Sequence, residues 1–200
     1  MTLPELKYVG GDPALDLVNT VDWTATGPRA ERLVDYDRVT RWAEGAGLLT
    51  PAAAAGLRRT ARRRPQAAAA VLETAHQTRD LVHRVLAARA AGHRPEARDL
   101  ARLNAQLSEA LAHLEVSPAR GPVAALGWRG MGKDLASPLW PVVWSAVQLW
   151  TSDKADRIRV CAGADCGWMY VDRSRNGLRR WCEMATCGTR EKNRRRASGS

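Results

Sequence analysis

Apolar residues recur at helical spacing through most of the first 115 positions of this chain. Asp12 followed by Pro13 makes an N-cap and first-turn pair, opening a helix through Leu15, Leu17, Val18 and Val21. Asp35 caps a second helix carrying Val39, Trp42 and Ala43, which ends near Gly47. Thr50-Pro51 repeats the start signal, and an alanine-rich helix follows to about Arg63, where Pro65 interrupts it. The pattern is strongest from Gln66 to Ala91, where Val71, Ala75, Thr78, Val82, Val85 and Leu86 fall on one stripe. Pro95 opens a further helix bearing Leu100, Leu103, Leu107, Leu111 and Leu114.

Beyond Leu114 the period changes. Leu114-Glu115-Val116 and Val123-Ala124-Ala125-Leu126 flank Ser117-Pro118-Ala119-Arg120-Gly121, which predicts a hairpin. A last helix over roughly Ser137 to Trp150 carries Leu139, Val142, Val143, Val147 and Trp150. Its Trp140, Trp144 and Trp150 suit one packing surface between the helical part and whatever follows. Thr151 to Asp156 is polar and reads as a linker. The expectation is a mainly α chain: a helical domain with a small β-hairpin over 1–150, then a small unit over 151–200.

With 45% hydrophobic residues the chain can bury a core, which excludes general disorder. No run of about 18 apolar residues marks a membrane span. The start, MTLPELKYVGG, lacks the basic patch and apolar stretch of a signal peptide, so a cytoplasmic location is expected. Formal charge is +10, which favours a polyanionic partner. Only Lys7, Lys133, Lys154 and Lys192 are lysines, so part of the arginine excess reflects GC-rich codon usage, and position matters more than the total.

All four cysteines fall in one short window as Cys161, Cys166, Cys182 and Cys187. Two close pairs separated by a loop suit a tetrahedral metal site, and four thiolates favour zinc over hard cations. One structural Zn2+ is therefore expected. The segment is too short to stabilise itself by burial, and zinc ligation supplies on the order of 10 kcal/mol in comparable peptides. Disulfides are the rival, disfavoured in a cytoplasmic chain. Four thiolates leave no open position for water, so a catalytic zinc is not expected.

Cys161-Ala-Gly-Ala-Asp-Cys166, Asp172-Arg-Ser-Arg-Asn-Gly-Leu-Arg-Arg-Trp-Cys182 and Cys187-Gly-Thr-Arg190 together resemble the bacterial CGNR zinc finger. One departure is visible: Thr189 stands where that motif has its asparagine. It is not a ligand, so the zinc site should survive, whereas a contact made by that asparagine would be weakened. Asp12-Pro-Ala-Leu-Asp-Leu-Val-Asn-Thr-Val-Asp22, Leu33-Val-Asp-Tyr-Asp-Arg-Val-Thr-Arg-Trp-Ala43 and Gly47-Leu-Leu49 resemble the ABATE domain usually found with this finger. The resemblance implies a stress-induced transcription regulator, with a treble-clef-like finger over 151–200 that binds DNA.

The charge distribution agrees with that expectation. Thr151 to Ser200 holds twelve basic and six acidic residues, against nineteen and fifteen in the remaining 150. Even after a four-thiolate zinc site contributes about −2, charge density in the finger is about three times greater. Arg173, Arg175, Arg179 and Arg180 surround the turn signal Asn176-Gly177. Arg190, Lys192, Arg194, Arg195 and Arg196 follow Cys187 at helical spacing. On this reading the turn arginines clamp phosphates, Arg190 and Asn176 reach base edges, and the last arginines meet phosphates. The bland alternative is a solvated tail, with Arg190 paired to Asp172 or Glu191.

Other candidates are weaker. Asp16, Asn19 and Asp22, with Trp42, suit a small-molecule effector pocket beside Trp23, against a capping and interhelical hydrogen-bonding role. His76, Asp80 and His83 share a helix face, expected to be an ordinary solvated one; His93 and His113 have no evident partners. Arg58, Arg59, Arg62, Arg63 and Arg64 form a second basic patch, read as a solvated face. No nucleophile motif, phosphate loop or dinucleotide fingerprint occurs, so no enzyme is expected. The helical domain is left to sense an effector or form a homodimer. The rivals are a finger that docks onto transcription machinery and a small-molecule-binding protein or enzyme built on the helical pocket.

Overall fold

A computed structural model of the chain describes residues 4–24, 27–118 and 124–198. Three helices start where side-chain caps predict. Asp12 accepts from the Ala14 amide to open α1 (Pro13–Val18), Asp35 accepts from Arg38 to open α2 (Tyr36–Gly45), and Thr50 accepts from Ala53 to open α3 (Pro51–Arg63). Pro65 turns the chain into α4 (Pro65–Ala90), the long central helix, and α5 (Ala97–Leu111) folds back along it.

Helix α1 stops at Val18, earlier than expected. Asn19 caps it, and the chain enters a hairpin of β1 (Asp22–Thr24) and β2 (Gly27–Arg29). Asp22 is therefore a strand residue. Helix α5 likewise ends at Leu111, and Leu114 begins the expected hairpin of β3 (Leu114–Pro118) and β4 (Ala124–Trp128), with Val116 opposite Leu126. The tip of that hairpin, residues 119–123, lies outside the described residues. One 3-10 turn, Ser137–Leu139, leads into α6 (Trp140–Thr151).

The segment after α6 is not a loose linker. It winds into a 3-10 turn, Asp153–Arg157, whose Ala155 is buried, and runs directly into β5 (Ile158–Val160), paired with β6 (Met169–Val171). Ile158, Met169 and Val171 then join one core with Leu15, Val18, Trp42, Leu57, Val82, Leu86 and Leu149. Fully burying a side chain the size of Ile158 or Met169 stabilises by roughly 1.5–3 kcal/mol. The second hydrophobic cluster corrects the expected tryptophan surface: Trp140 packs among Leu81, Val85, Leu103, Ala110 and Val143, between α4, α5 and α6 rather than against the finger. His113 stacks on it at 3.7 Å.

The histidine face of α4 also departs from expectation. His83 is not in solvent; its ring stacks on Trp23 at 3.8 Å, and burial lowers its pKa to about 4, so it is neutral at pH 7. His76 contacts the Leu33 carbonyl, and Asp80 pairs with Arg79. Among the described residues, no helix is long and apolar enough to cross a membrane.

Candidate metal centre and basic surface

The four cysteines converge although 21 residues separate Cys161 from Cys182. Cys161 and Cys166 sit in the connection between β5 and β6, Cys182 follows the Asn176-Gly177 turn, and Cys187 lies in a π turn, Met184–Gly188. This π turn leads straight into α7 (Thr189–Ser198). All four sulfurs lie within 4.8 Å of one another, and Cys182 Sγ is 3.7 Å from both Cys166 and Cys187. Sulfurs placed tetrahedrally about 2.3 Å from a common zinc are about 3.8 Å apart, so the cluster fits one structural zinc ion. None of the four is disulfide-bonded, and all are buried.

Backbone amides already serve the sulfurs. Gly163 and Cys182 both donate N–H to Cys161 Sγ, at 3.4 and 3.3 Å. Without metal, the thiols of Cys166 and Cys182 directed at Cys161 hold it far below the ordinary thiol range, and those amides add to the effect. Donating toward Cys161 pushes Cys166 up. Cys182 rises for the same reason, and for donating toward Cys166. Metal binding therefore displaces protons held within the cluster. The connection also needs Gly167, whose φ is +62°: a Cβ there would lie 2.4 Å from the Trp23 carbonyl oxygen.

The helical part grips this module at several points. Asn19 forms two hydrogen bonds to the Met169 backbone, donating to its carbonyl at 2.8 Å and accepting its amide at 2.9 Å. Trp168 Nε1 donates to the Val21 carbonyl at 3.0 Å, and the Val171 amide to the Gly10 carbonyl at 2.8 Å. Arg32, itself buried, lies over the Trp168 ring while holding Asp22 and the carbonyls of Glu5 and Ala30. Lys7 pairs with Glu183. A cavity of about 180 Å³ lies at this junction, bordered by the metal-site Cys166, Cys182 and Cys187 as well as by Lys7, Asp22, Arg32 and Arg190. Nothing in the sequence singles out Lys7, Gly10 or Arg32, because their contacts reach across most of the chain.

The expected effector quartet is not gathered around one pocket. Asp16 accepts from the Gly10 amide, Asn19 is occupied by Met169, Asp22 is paired with Arg32, and Trp42 is fully buried in the core. Asp16, Asn19 and Asp22 each satisfy a different protein group, whereas the buried Trp42 Nε1 has no hydrogen-bond partner among the described residues.

The basic residues divide into two kinds. Arg179 is a brace: it lies over Tyr170 and donates to the carbonyls of Trp181 and Cys182. Arg173 donates to the Gly11 carbonyl, tying the turn to the amino-terminal segment. Asp172 accepts from Ser174 and from the Arg179 amide, so it is not the partner of Arg190. Glu191 pairs with Arg194 and Arg195, one turn further along α7. Arg175, Arg190 and Lys192 are exposed with no hydrogen-bond or ion-pair partner among the described residues. Arg180 is exposed on the ring of Trp181, Asn176 accepts from the Leu178 amide, and Arg196 is exposed on α7. Thr189 donates to the Met184 carbonyl across the π turn.

A helical body with a treble-clef-like four-cysteine finger defines a class: a metal-stabilised module mounted on a mainly α domain. Residues 11–153 match the ABATE model, described as "Putative stress-induced transcription regulator", and residues 157–198 match the CGNR zinc finger. The chain belongs to the ABATE family and carries a CGNR zinc finger. No curated protein matches it.

Proposed function

We propose that the chain is a DNA-binding transcription regulator whose finger meets the duplex through α7 and the Asn176-Gly177 turn. One observation carries the reading: Arg179 braces the finger from within and Arg173 ties it to the amino-terminal segment, yet Arg175, Arg190 and Lys192 are left exposed and uncompensated. A polyanion with phosphates at regular spacing is the natural complement of such a surface. Helix α7 supports it further. Its only apolar residue is Ala197, and at ten residues it is shorter than an isolated helix needs. A metal ligand at its start and the Glu191 pairs on its flank hold it, leaving the cationic sides for a partner. The zinc serves as a scaffold, and the reading assigns the chain no catalytic step.

Effector sensing belongs to the same reading. The junction cavity touches both Arg190 and the helical part, so a small ligand there would act directly on a DNA-facing residue.

The test is binding of the zinc-loaded chain to duplex DNA across a salt series. Replacing Arg190 and Lys192 with Gln should leave zinc content unchanged and reduce the log–log salt slope by about 1.8. A flat salt response in the parent protein would instead favour a protein-docking finger.

A further inference from the structure

The helical part pairs several of its basic residues with carboxylates one by one. Arg32 faces Asp22, Arg41 faces Asp37, Arg58 faces Asp37 and Glu44, Arg79 faces Glu31, and Arg84 faces Asp99. Arg59, Arg62, Arg63 and Arg64 are different. All four are exposed, and none has an ion-pair or hydrogen-bond partner among the described residues. Arg59, Arg62 and Arg63 share one face of α3 at i, i+3 and i+4 spacing, and Arg64 is the corner residue joining α3 to α4. Lys133, also exposed and unpaired, borders a cavity of about 450 Å³ with Arg64, Ala67, Val71, Asp134 and Leu135. The acidic residue there, Asp134, accepts from the Ala136 amide. Arg62, Arg63 and Arg64 are consecutive and Lys133 shares a cavity with the last of them, and like charges so placed repel one another unless a counter-charge is supplied.

The corner also lies at the opposite end of α4 from the contact that helix makes with the start of the carboxy-terminal segment. At its other end α4 contacts the finger, with Arg89 on Asp156 and His83 on Trp23, whose backbone meets Gly167. The 25 positions from Arg64 to Arg89 span about 37 Å at 1.5 Å per residue.

We infer that the α3–α4 corner is a second duplex-DNA contact, holding phosphates beyond those met by the finger. This rests on the DNA-binding reading and extends it: the helical part would lengthen the footprint without reading bases.

The experiment compares the full zinc-loaded chain with an Arg62→Gln, Arg63→Gln, Arg64→Gln variant on duplexes of about 10 and 30 base pairs, across a salt series. These side chains are exposed, so zinc content and circular dichroism should be unchanged. On the long duplex the variant's log–log slope should be shallower by about 2–3, while on the short duplex both proteins should give the same slope. Equal slopes on the long duplex would overturn the second contact and leave the DNA-binding reading standing. An equal loss on both duplexes would overturn a contact separate from the finger's. If the parent chain binds neither duplex, both readings fall.

Discussion

Asn19 and Met169 are joined as neighbouring strands are joined: the side-chain amide of one completes both backbone hydrogen bonds of the other, 150 positions away. Both groups are buried, so neither can turn to water. The pair places the finger's hairpin on the end of α1 and fixes how the metal centre sits on the helical body.

Removing that side chain leaves a buried N–H and a buried C=O unpaired, each costing about 1–3 kcal/mol. Asn19→Ala should therefore destabilise the zinc-loaded protein by about 2–4 kcal/mol in urea unfolding. A loss below about 0.5 kcal/mol would mean that the pair is not a fastening.

Two family models meet near residue 155, yet one core crosses that boundary, since Ile158 and Met169 pack with Leu15, Trp42 and Leu86. The finger and the helices should unfold together. Far-UV circular dichroism and release of zinc to a chromophoric chelator should give coincident thermal transitions. Zinc release well below the loss of helix would contradict the shared core.

Asp16 yields a pH dependence. Burial raises its carboxyl from 3.8 to about 6, with nearby Asp12 adding to the rise against the Gly10 amide, which lowers it. The folded state thus holds this proton more tightly than the unfolded chain does. Stability from the group is full below 3.8 and is lost as pH rises through about 6. Asp16→Asn keeps an acceptor for Gly10 without the charge. Relative to the parent, its stability should improve from pH 5 to pH 7.5 and level off at about 1–3 kcal/mol. A difference that stays constant over that range would show that Asp16 is not the titrating group.

The two arginines flanking the Asn176 turn should separate cleanly. Arg179→Ala removes donors to the carbonyls of Trp181 and Cys182, and should lower both thermal stability and zinc retention. Arg175→Ala removes an exposed cation; it should keep zinc and melting temperature but weaken DNA binding several-fold. Reversed phenotypes would overturn the division into braces and contacts.

The sequence made local devices legible. Asp12, Asp35 and Thr50 each cap the helix their position announces, the 3.6-residue stripe of α4 is its buried face, and the two cysteine pairs converge. These signals lie within a few residues of the structure they cause. What stayed hidden is long-range. Asn19 reads as a helix-end asparagine, and only its distant partner makes it a fastening. Arg179 and Arg175 are the same residue type in one cluster, and a local pattern cannot say which turns inward onto carbonyls. Trp140 lies at helical spacing with Trp144, but its burial against α5 depends on how the chain returns from the β3–β4 hairpin.

The central claim is that one zinc ion makes the carboxy-terminal segment rigid enough to present its cations to DNA. Metal should therefore be removed from the full chain by a chelator and returned in measured steps, with affinity for a duplex of about 30 base pairs followed at fixed salt. The account predicts that binding is lost without metal and recovers in proportion to zinc, saturating at one ion per chain. Undiminished binding by the zinc-free protein would contradict it.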